Sequence, residues 1–583
     1  MIRNILIHII ILSVFRLGIS QQYVVNQEAI EMPKEDVYIH HNTSLLFAGE
    51  YMYYTFYCTN SQTKNLSTLS KIGYIELVSE DKKIVLKQKV KLEQGVGQGD
   101  FFLPIAIESG NYKLIGYTQW MRNGAISSLF QSDISIINPY RGNQKRILSD
   151  SGKTAVNNPI KISNPTHTNS NTISFVTNKK DYKKREKVAV HIKGDVDLYK
   201  QGHYSISVRK IDTINIPARY SSKTYNRLKL NKTSDKKLKS SVNHILIPEL
   251  RGELICGEIR STIATTAIHD KKVGISIPGR EYEIKIVSTD TDGSFCFTLD
   301  KQYLGDTVFI QLIGNPEKYD ISLKEKQPIN YDDLMFHKFR ITPAMKKMIL
   351  DRSFYNQVQN AYFSLKPDTL VTLKKIKPFY GDQVTVFKLD DYTRFPTIKE
   401  TLVEVINNAW IKKLSDENSI FQVRYKYPPY NGPDHLPLVI VDGIIIQDHT
   451  KIIEYDARKV KKITLSRDKH FLGEQIFEGI LDFETIDGDF YKTLDIDYIK
   501  KFQLSKTLPK KKYYNQYHGL NSKTDKTPDF RLQLLWEPDF KINTIEPSFD
   551  FFTSDNTGTY EIVMEGYSNT GQPVSLRELI TVN

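Results

Sequence analysis

Residues 36–137 are built of short runs rich in Tyr, Ile and Val, among them YMYYTFYC, GYIELVS and NYKLIGYTQW, broken by Gly or Asn. β-Branched and aromatic residues suit a pleated, half-buried surface, and runs bounded by turn residues read as strands. Their succession is the pattern of an antiparallel sandwich. Gly95, Gly97 and Gly99 of GVGQGDFFLP are spaced like a phosphate loop, but they lead into another strand. With no helix N-terminus to hold a phosphate, they are expected to be turn residues.

At 583 residues the chain exceeds one core. Domains usually hold about 100–200 residues, which implies roughly four or five modules. The first of them is preceded by MIRNILIHIIILSVFRLGISQQ, with Arg3, an apolar run from Ile5 to Phe15, and small residues at Gly18 and Ser20. Residues 1–20 therefore read as a signal peptide. The run is shorter than the ~20 residues of a spanning helix, and Ser20 is not followed by a cysteine that could take a lipid. The expectation is an exported protein, periplasmic or outer-membrane-associated, and not a lipoprotein.

Eighty Lys and Arg against 67 Asp and Glu give a net charge of +13. The lysines are spread along the chain and thicken in loop-like stretches such as RLKLNKTSDKKLKSS, so nucleic acid is not an expected partner. Attraction to anionic headgroups, and hence peripheral membrane association, fits the same charge. Three cysteines, Cys58, Cys256 and Cys296, leave at least one unpaired. Cys256 in ELICGEI and Cys296 in GSFCFTL could form a disulfide if their strands face each other; buried free thiols are the alternative. The histidines lack ligand spacing and no His-Glu-x-x-His occurs, so no metal, cofactor or small-molecule substrate is expected.

LLFAGEYMYYTFYC, with Gly49-Glu50 at its turn, and YTQWMRN at 117–123 closely resemble the macroglobulin-like MG2 domain of large exported proteins of Bacteroidetes-type bacteria. The resemblance spans residues 36–140 and implies a β-sandwich. Residues 141–171 have linker composition, and 172–246 are similar to the first part of a second macroglobulin-like sandwich. Residues 247–327, with Gly257 and the Asp292-Gly293 hairpin turn, resemble a carboxypeptidase-regulatory-like β domain, an accessory fold that implies no peptidase. A helical connector with return strands is expected over 328–394. There Met345, Met348, Ile349, Tyr355, Val358 and Tyr362 recur at helical spacing after Thr342-Pro343, as a core-facing stripe.

Residues 395–490 open on a Thr397-x-x-Glu400 capping box and continue through LPLVIVDGIIIQD, VKKITL and GILDFET. The series resembles the plug domain of TonB-dependent outer-membrane receptors, with Leu438, Val439, Asp442, Gly443 and Gly479 at its motif positions. Fewer than a hundred residues follow Asp489, whereas a barrel of about 22 strands needs well over two hundred. A plug without its barrel is the expectation, followed over 491–583 by a C-terminal β-sandwich like that of the MG2 proteins. Within the plug-like stretch, Gly473-Glu474-Gln475 resembles the tail of the Cys-Gly-Glu-Gln thioester of complement and macroglobulin proteins. Leu472 stands where the cysteine would, so no thioester can form and a turn is expected.

The fold class expected is thus mainly β and multidomain: macroglobulin- or Ig-like sandwiches, a carboxypeptidase-regulatory-like insertion, a small α+β plug-like domain and a C-terminal sandwich. Three functions compete. One is a non-enzymatic accessory or scaffold protein of the outer membrane that binds protein partners such as a TonB-dependent transporter or a secretion assembly. The second is a macroglobulin-like protease inhibitor lacking a thioester. The third is a hydrolase of envelope polymers, for which the carboxylates Asp290, Asp292, Asp487 and Asp489 sit where turns alone explain them.

Overall fold

In the computed structural model the run YMYYTFYCTN forms the strand Tyr51–Asn60, the centre of an antiparallel sheet with Glu35–His41 and Val96–Phe102. A second sheet stacks on it, ordered Leu45–Phe47, Phe130–Ile137, Gly110–Tyr117, Ile72–Ser79 and Ile84–Lys91. Val37, Ile39, Phe56, Ile75, Leu77 and Leu114 fill the space between them. Gly95 is a turn residue with φ +79°, as expected. Gly97 and Gly99 are instead inside the strand, opposite Phe56 and Tyr54. A Cβ on Gly99 would lie 2.3 Å from the Tyr54 hydroxyl, so glycine is there to admit that ring.

The structure describes residues 33–583 apart from 149–171, 213, 215, 231–244, 264–265, 280–281, 301–302, 304, 315–317, 372–377, 417, 428–434, 493–495 and 520–525. The expected signal peptide and most of the expected linker lie outside the described residues. The chain divides into two units, one of Met1–Leu250, Pro328–Val371 and Leu508–Asn583, the other of Arg251–Gln327 and Thr372–Thr507.

The first unit holds a second sandwich. Its strands Ile173–Thr177, Lys187–Gly194 and His203–Lys210 alternate buried and exposed positions or bury one run, and each needs partners. They find them at the far end of the chain. His203–Lys210 pairs antiparallel with both Gly558–Tyr567 and Gln533–Phe540, and Lys187–Gly194 pairs with Ser548–Phe552. Pro573–Val582 completes the sheet beside Gly558–Tyr567. Residues 172–246 and 491–583 therefore do not make two sandwiches: their strands share one core of Val188, Val190, Ile206, Ile562, Met564 and Val574. Nor do residues 328–394 supply the return strands. They carry the helix Lys346–Ala361 in the first unit and the strand Thr385–Lys388, which joins a sheet of the second.

In the second unit Ser294–Leu299, Glu253–Ser261 and Tyr319–Leu323 form one sheet of a sandwich. Glu283–Ser288, Lys272–Ile277, Thr307–Leu312 and Lys500–Gln503 form the other, so this sandwich also borrows a strand from beyond residue 491. Cys256 and Cys296 lie opposite each other in register, Cα atoms 4.1 Å apart, and are joined by a disulfide. Cys58 is a buried free thiol of the first unit. Asp290 and Asp292 do turn work: Asp292 accepts hydrogen bonds from the Ser294 backbone and hydroxyl, around Gly293 at φ +79°.

A five-stranded sheet follows, ordered Thr385–Lys388, Val460–Leu472, Gln475–Thr485, Leu438–Val441 and Ile444–Ile445. Leu438, Ile440 and Ile480 pack against Ile284 and Ile286 of the unit's sandwich, while Val439, Val441, Leu481 and Phe483 meet Ile398, Leu402 and Phe421. Burial on both faces is why LVIV reads as an unbroken apolar run. The Thr397 hydroxyl accepts from the Glu400 N–H, and the helix it caps ends at Glu404. Trp410 follows on the strand Ala409–Lys413. Gly473-Glu474 is the two-residue turn between the paired Leu472 and Gln475, as expected.

One buried acid makes this unit pH-sensitive. Glu283 is 4 % exposed, and burial pushes its carboxyl from 4.5 to about 7 against the pull of Lys285 at 3.1 Å. Between those values the unfolded chain has released a proton that the folded chain still holds. Stability is therefore lost as pH rises through that window, by up to about 3 kcal/mol. Glu283→Gln is expected to match the parent at pH ~4 and to exceed it at pH ~8 in denaturant unfolding, since Lys285 keeps Asp300 and the Thr298 carbonyl. An equal difference at both pH values would sink this assignment.

Candidate functional site

The helix Lys346–Ala361 presents a polar face to the first unit: Arg352, Ser353 and Asn356 are buried, while Leu350 and Phe354 are exposed. Of the expected apolar stripe, Met345, Met348 and Ile349 pack with Leu45 and Phe47, so apolar and polar contacts together seat the helix. Gly49, at φ +88°, lets the helix approach, since a Cβ there would stand 2.7 Å from Asn356 Nδ2. Asn356 and Asn360 donate to the Ala48 and Gly49 carbonyls at 2.8 and 3.0 Å. Arg352 Nε and Nη2 fork onto the Glu50 carboxylate at 2.7 and 2.8 Å, and Nη1 reaches Asp212 at 2.7 Å. Its guanidinium also lies 4.5 Å from the centre of the Phe47 ring. Burial pushes Glu50 up, but Arg352 more than offsets this and holds the carboxyl below its ordinary value.

Beside this anchor is a cavity of about 170 Å³. Aromatic pairs form its walls: Tyr53 stacks on Trp536 at 6.0 Å, and Tyr355 on Phe530 at 4.9 Å. Three of its lining side chains carry buried N–H groups with no hydrogen-bond partner among the described residues: Arg209 (Nε and Nη2), Gln359 (Nε2) and Trp536 (Nε1). These four nitrogens are enclosed by neighbouring atoms, and leaving a buried donor unmade costs about 1–3 kcal/mol each. The nearest carboxylate to Arg209 is Glu50 at 3.8 Å, already held by Arg352. Burial, then the Arg352 charge, lowers Arg209 to about 10, which leaves it charged at neutral pH. Gln359 is oriented by Lys366, whose ammonium donates to Oε1 at 2.8 Å; only the amide oxygen can accept, so the NH₂ faces away from it.

The acids around the cavity are committed elsewhere. Asp529 receives Arg531 Nε and Nη2 at 2.7 Å each and His518 Nε2 at 3.0 Å; burial opposes its charge, and these partners hold it far below the carboxylate range. Asp368 accepts the Tyr514 N–H at 3.0 Å, and burial raises it. Among the described residues, the lining includes no Ser, Thr, Cys or His.

The residues singled out from the sequence are not here. Leu438, Val439, Asp442, Gly443 and Gly479 come together in the second unit as sheet core and turn, and Cys256 and Cys296 staple the sandwich of that unit. Gly479, at φ +93°, leaves room for Val423, to which a Cβ would come within 2.6 Å. Of the cavity, the sequence marks Gly49, Glu50 and Tyr355 only as pattern positions. Arg209, Arg352, Gln359 and Lys366 carry no local signal, because solvated helix and strand faces use the same residues.

No family model and no curated protein matches the chain. Among solved structures, Salmonella α2-macroglobulin reacted with methylamine aligns with 94 % of this chain and 39 % of its own length, at 8 % identity and a TM-score of 0.23. Trypsin-activated α2-macroglobulin from Escherichia coli aligns with 94 % of this chain and 41 % of its own, at 9 % and 0.23. The native E. coli protein aligns with 94 % and 40 %, at 7 % and 0.23. The chain thus spans about two fifths of the length of these proteins. Superpositions this weak define neither family nor site, and the β-sandwich class rests on the strand pairing above.

Proposed function

We propose that the chain is a non-enzymatic accessory or scaffold protein of the outer membrane that holds a protein partner, a TonB-dependent transporter or a secretion assembly being the class implied by its MG2-like and plug-like sequences. The observation that carries the binding reading is the cavity: about 170 Å³ of space lies between stacked aromatic pairs, and its carboxylates are engaged by neighbouring groups. The plug-like segment supports the partner class by its sequence alone, and Lys500–Gln503 and Gln533–Val582 are spent on sandwich sheets rather than on a barrel wall.

Affinity purification from cross-linked native envelopes, read by mass spectrometry, tests this. The expected result is a reproducible envelope protein at near-stoichiometric yield. Stable retention of added proteases would favour the inhibitor reading instead, and turnover of envelope polymer by the pure protein would overturn the non-enzymatic one.

A further inference from the structure

We propose that the cavity of the first unit takes an uncharged aromatic side chain from an extended segment of a protein partner, while a second apolar side chain of that segment rests on Phe102. The inference rests on the binding reading above and names what enters the same site. Strand alternation builds the surface. In Tyr51–Asn60, Met52, Tyr54 and Phe56 point into the sandwich and are fully buried, so Tyr51 and Tyr53 stand on the other face. Phe102 lies opposite Tyr51 in register with ring centres 5.0 Å apart, and Phe363 stacks on Tyr51 at 5.7 Å. Tyr51 stacks in turn on Tyr53 at 5.9 Å, and Tyr53 on Trp536. An aromatic track thus runs from the lining of the cavity, where Tyr51, Tyr53, Phe363 and Trp536 stand, out to Phe102 beyond it. Phe102 and Phe363 are each 44 % exposed, and large apolar side chains grouped in this way on a surface mark a contact site.

Charge and size select the occupant. Each cation of the cavity already meets a carboxylate: Arg352 is held by Glu50 and Asp212 and Arg531 by Asp529, while Lys366 and Arg209 have Asp529 and Glu50 at 3.7 and 3.8 Å. With Asp368, four acids balance four cations, and a charged group entering here would give up its water without gaining a free counter-ion. Tyr53, Tyr355 and Phe530 are half-buried, so their rings keep surface for an uncharged one. Cavities for drug-sized molecules run to about 300–1,000 Å³, whereas about 150 Å³ accepts a single benzene ring. At about 170 Å³ this cavity takes one ring. The track to Phe102 then calls for a second side chain on the same body. Same-face side chains of an extended chain stand about 7 Å apart, close to the ring spacings along the track, and this favours a peptide over a free ring.

Titration calorimetry on the full-length protein with three probes tests the assignment: the neutral peptide acetyl-Leu-Ser-Phe-Ser-amide, the same peptide with alanine in place of phenylalanine, and free indole. The phenylalanine peptide is expected to bind, and the alanine peptide to bind at least about tenfold more weakly. Phe363→Ser, in the lining, should weaken the phenylalanine peptide and indole alike by about tenfold. Phe102→Ser, outside the cavity, should weaken the peptide by about fivefold to tenfold and leave indole as it is. Both side chains are largely exposed, so both variants are expected to fold. Binding of indole alone would identify a free ring as the occupant and overturn the partner segment. No binding of the phenylalanine peptide, equal binding of the two peptides, or indifference of the first to both variants would overturn the proposal as well. Because purified protein and defined probes are used, such a failure leaves the envelope-partner reading to its own co-purification test.

Discussion

Replacing Arg352 with methionine is expected to cost the first unit about 3–5 kcal/mol of stability, the range for breaking a buried ion pair from one side. Methionine fills a similar volume, so the loss is electrostatic rather than a void. Glu50 and Asp212, with side chains 11 % and 13 % exposed, would each lose their short contact with the guanidinium. The sign of the pH dependence separates this from a general packing defect. In the parent, Glu50 sits below its unfolded value, so it contributes stability above that value that is lost as pH falls through the folded one. In the variant, burial acts with only the weaker offset of Arg209 and the Phe47 N–H, and Glu50 rises instead; stability is then lost as pH rises. The gap between the proteins should be widest near neutrality and close on acidification in denaturant titrations. Arg352→Lys, which keeps the charge without the fork, should fall between. A methionine variant within about 1 kcal/mol of the parent at neutral pH would show that the ion pair does not seat the helix.

That Arg352 is an anchor could not be read from the chain, and the reason is physical. Helical periodicity finds apolar faces, and Met345, Met348 and Ile349 do pack with Leu45, Phe47 and Ile137, but the buried Arg352, Ser353 and Asn356 beside them leave no such signal. A buried charge is tolerated there only because Gly49-Glu50, some three hundred residues earlier, is present to receive it. Strand existence was legible for the opposite reason. Tyr51–Asn60 and Gly110–Tyr117 announce themselves in their own composition, and Asp292-Gly293 and Gly473-Glu474 turn where local chemistry says they must. Pairing of distant strands leaves no such local trace. Val188 against Phe551 and Val208 against Ile562 are contacts across most of the chain, so in sequence the one sandwich looks like two. The cavity is hidden for the same reason: Tyr53, Arg209, Gln359 and Trp536 meet only after that closure.

Replacing Asp442-Gly443 with Val-Val is expected to unfold the five-stranded sheet of the second unit. Both residues are left-handed, φ +48° and +87°, as a tight hairpin turn demands, and a β-branched residue there costs about 1–2 kcal/mol per position. The Asp442 carboxylate also accepts the Thr485 N–H at 2.8 Å, the Thr485 hydroxyl at 2.6 Å and the Phe490 N–H at 3.0 Å. Valine leaves three buried donors unmet, at about 1–3 kcal/mol each. At Gly443 a Cβ would lie 2.3 Å from Tyr282 Cβ, and the two faces would have to part to admit it. These terms together approach the 5–15 kcal/mol that holds a typical domain, so a shifted midpoint is not the expected outcome. Hydrogen exchange should lose protection across Leu438–Val441 and Gln475–Thr485 while Tyr51–Asn60 and Gly110–Tyr117 in the other unit keep theirs. Asp442→Asn, which retains the turn and one acceptor oxygen, should give only partial loss. Full protection of Leu438–Val441 in the double variant would mean that two-sided burial alone fixes the register of that strand, and that the turn merely follows it.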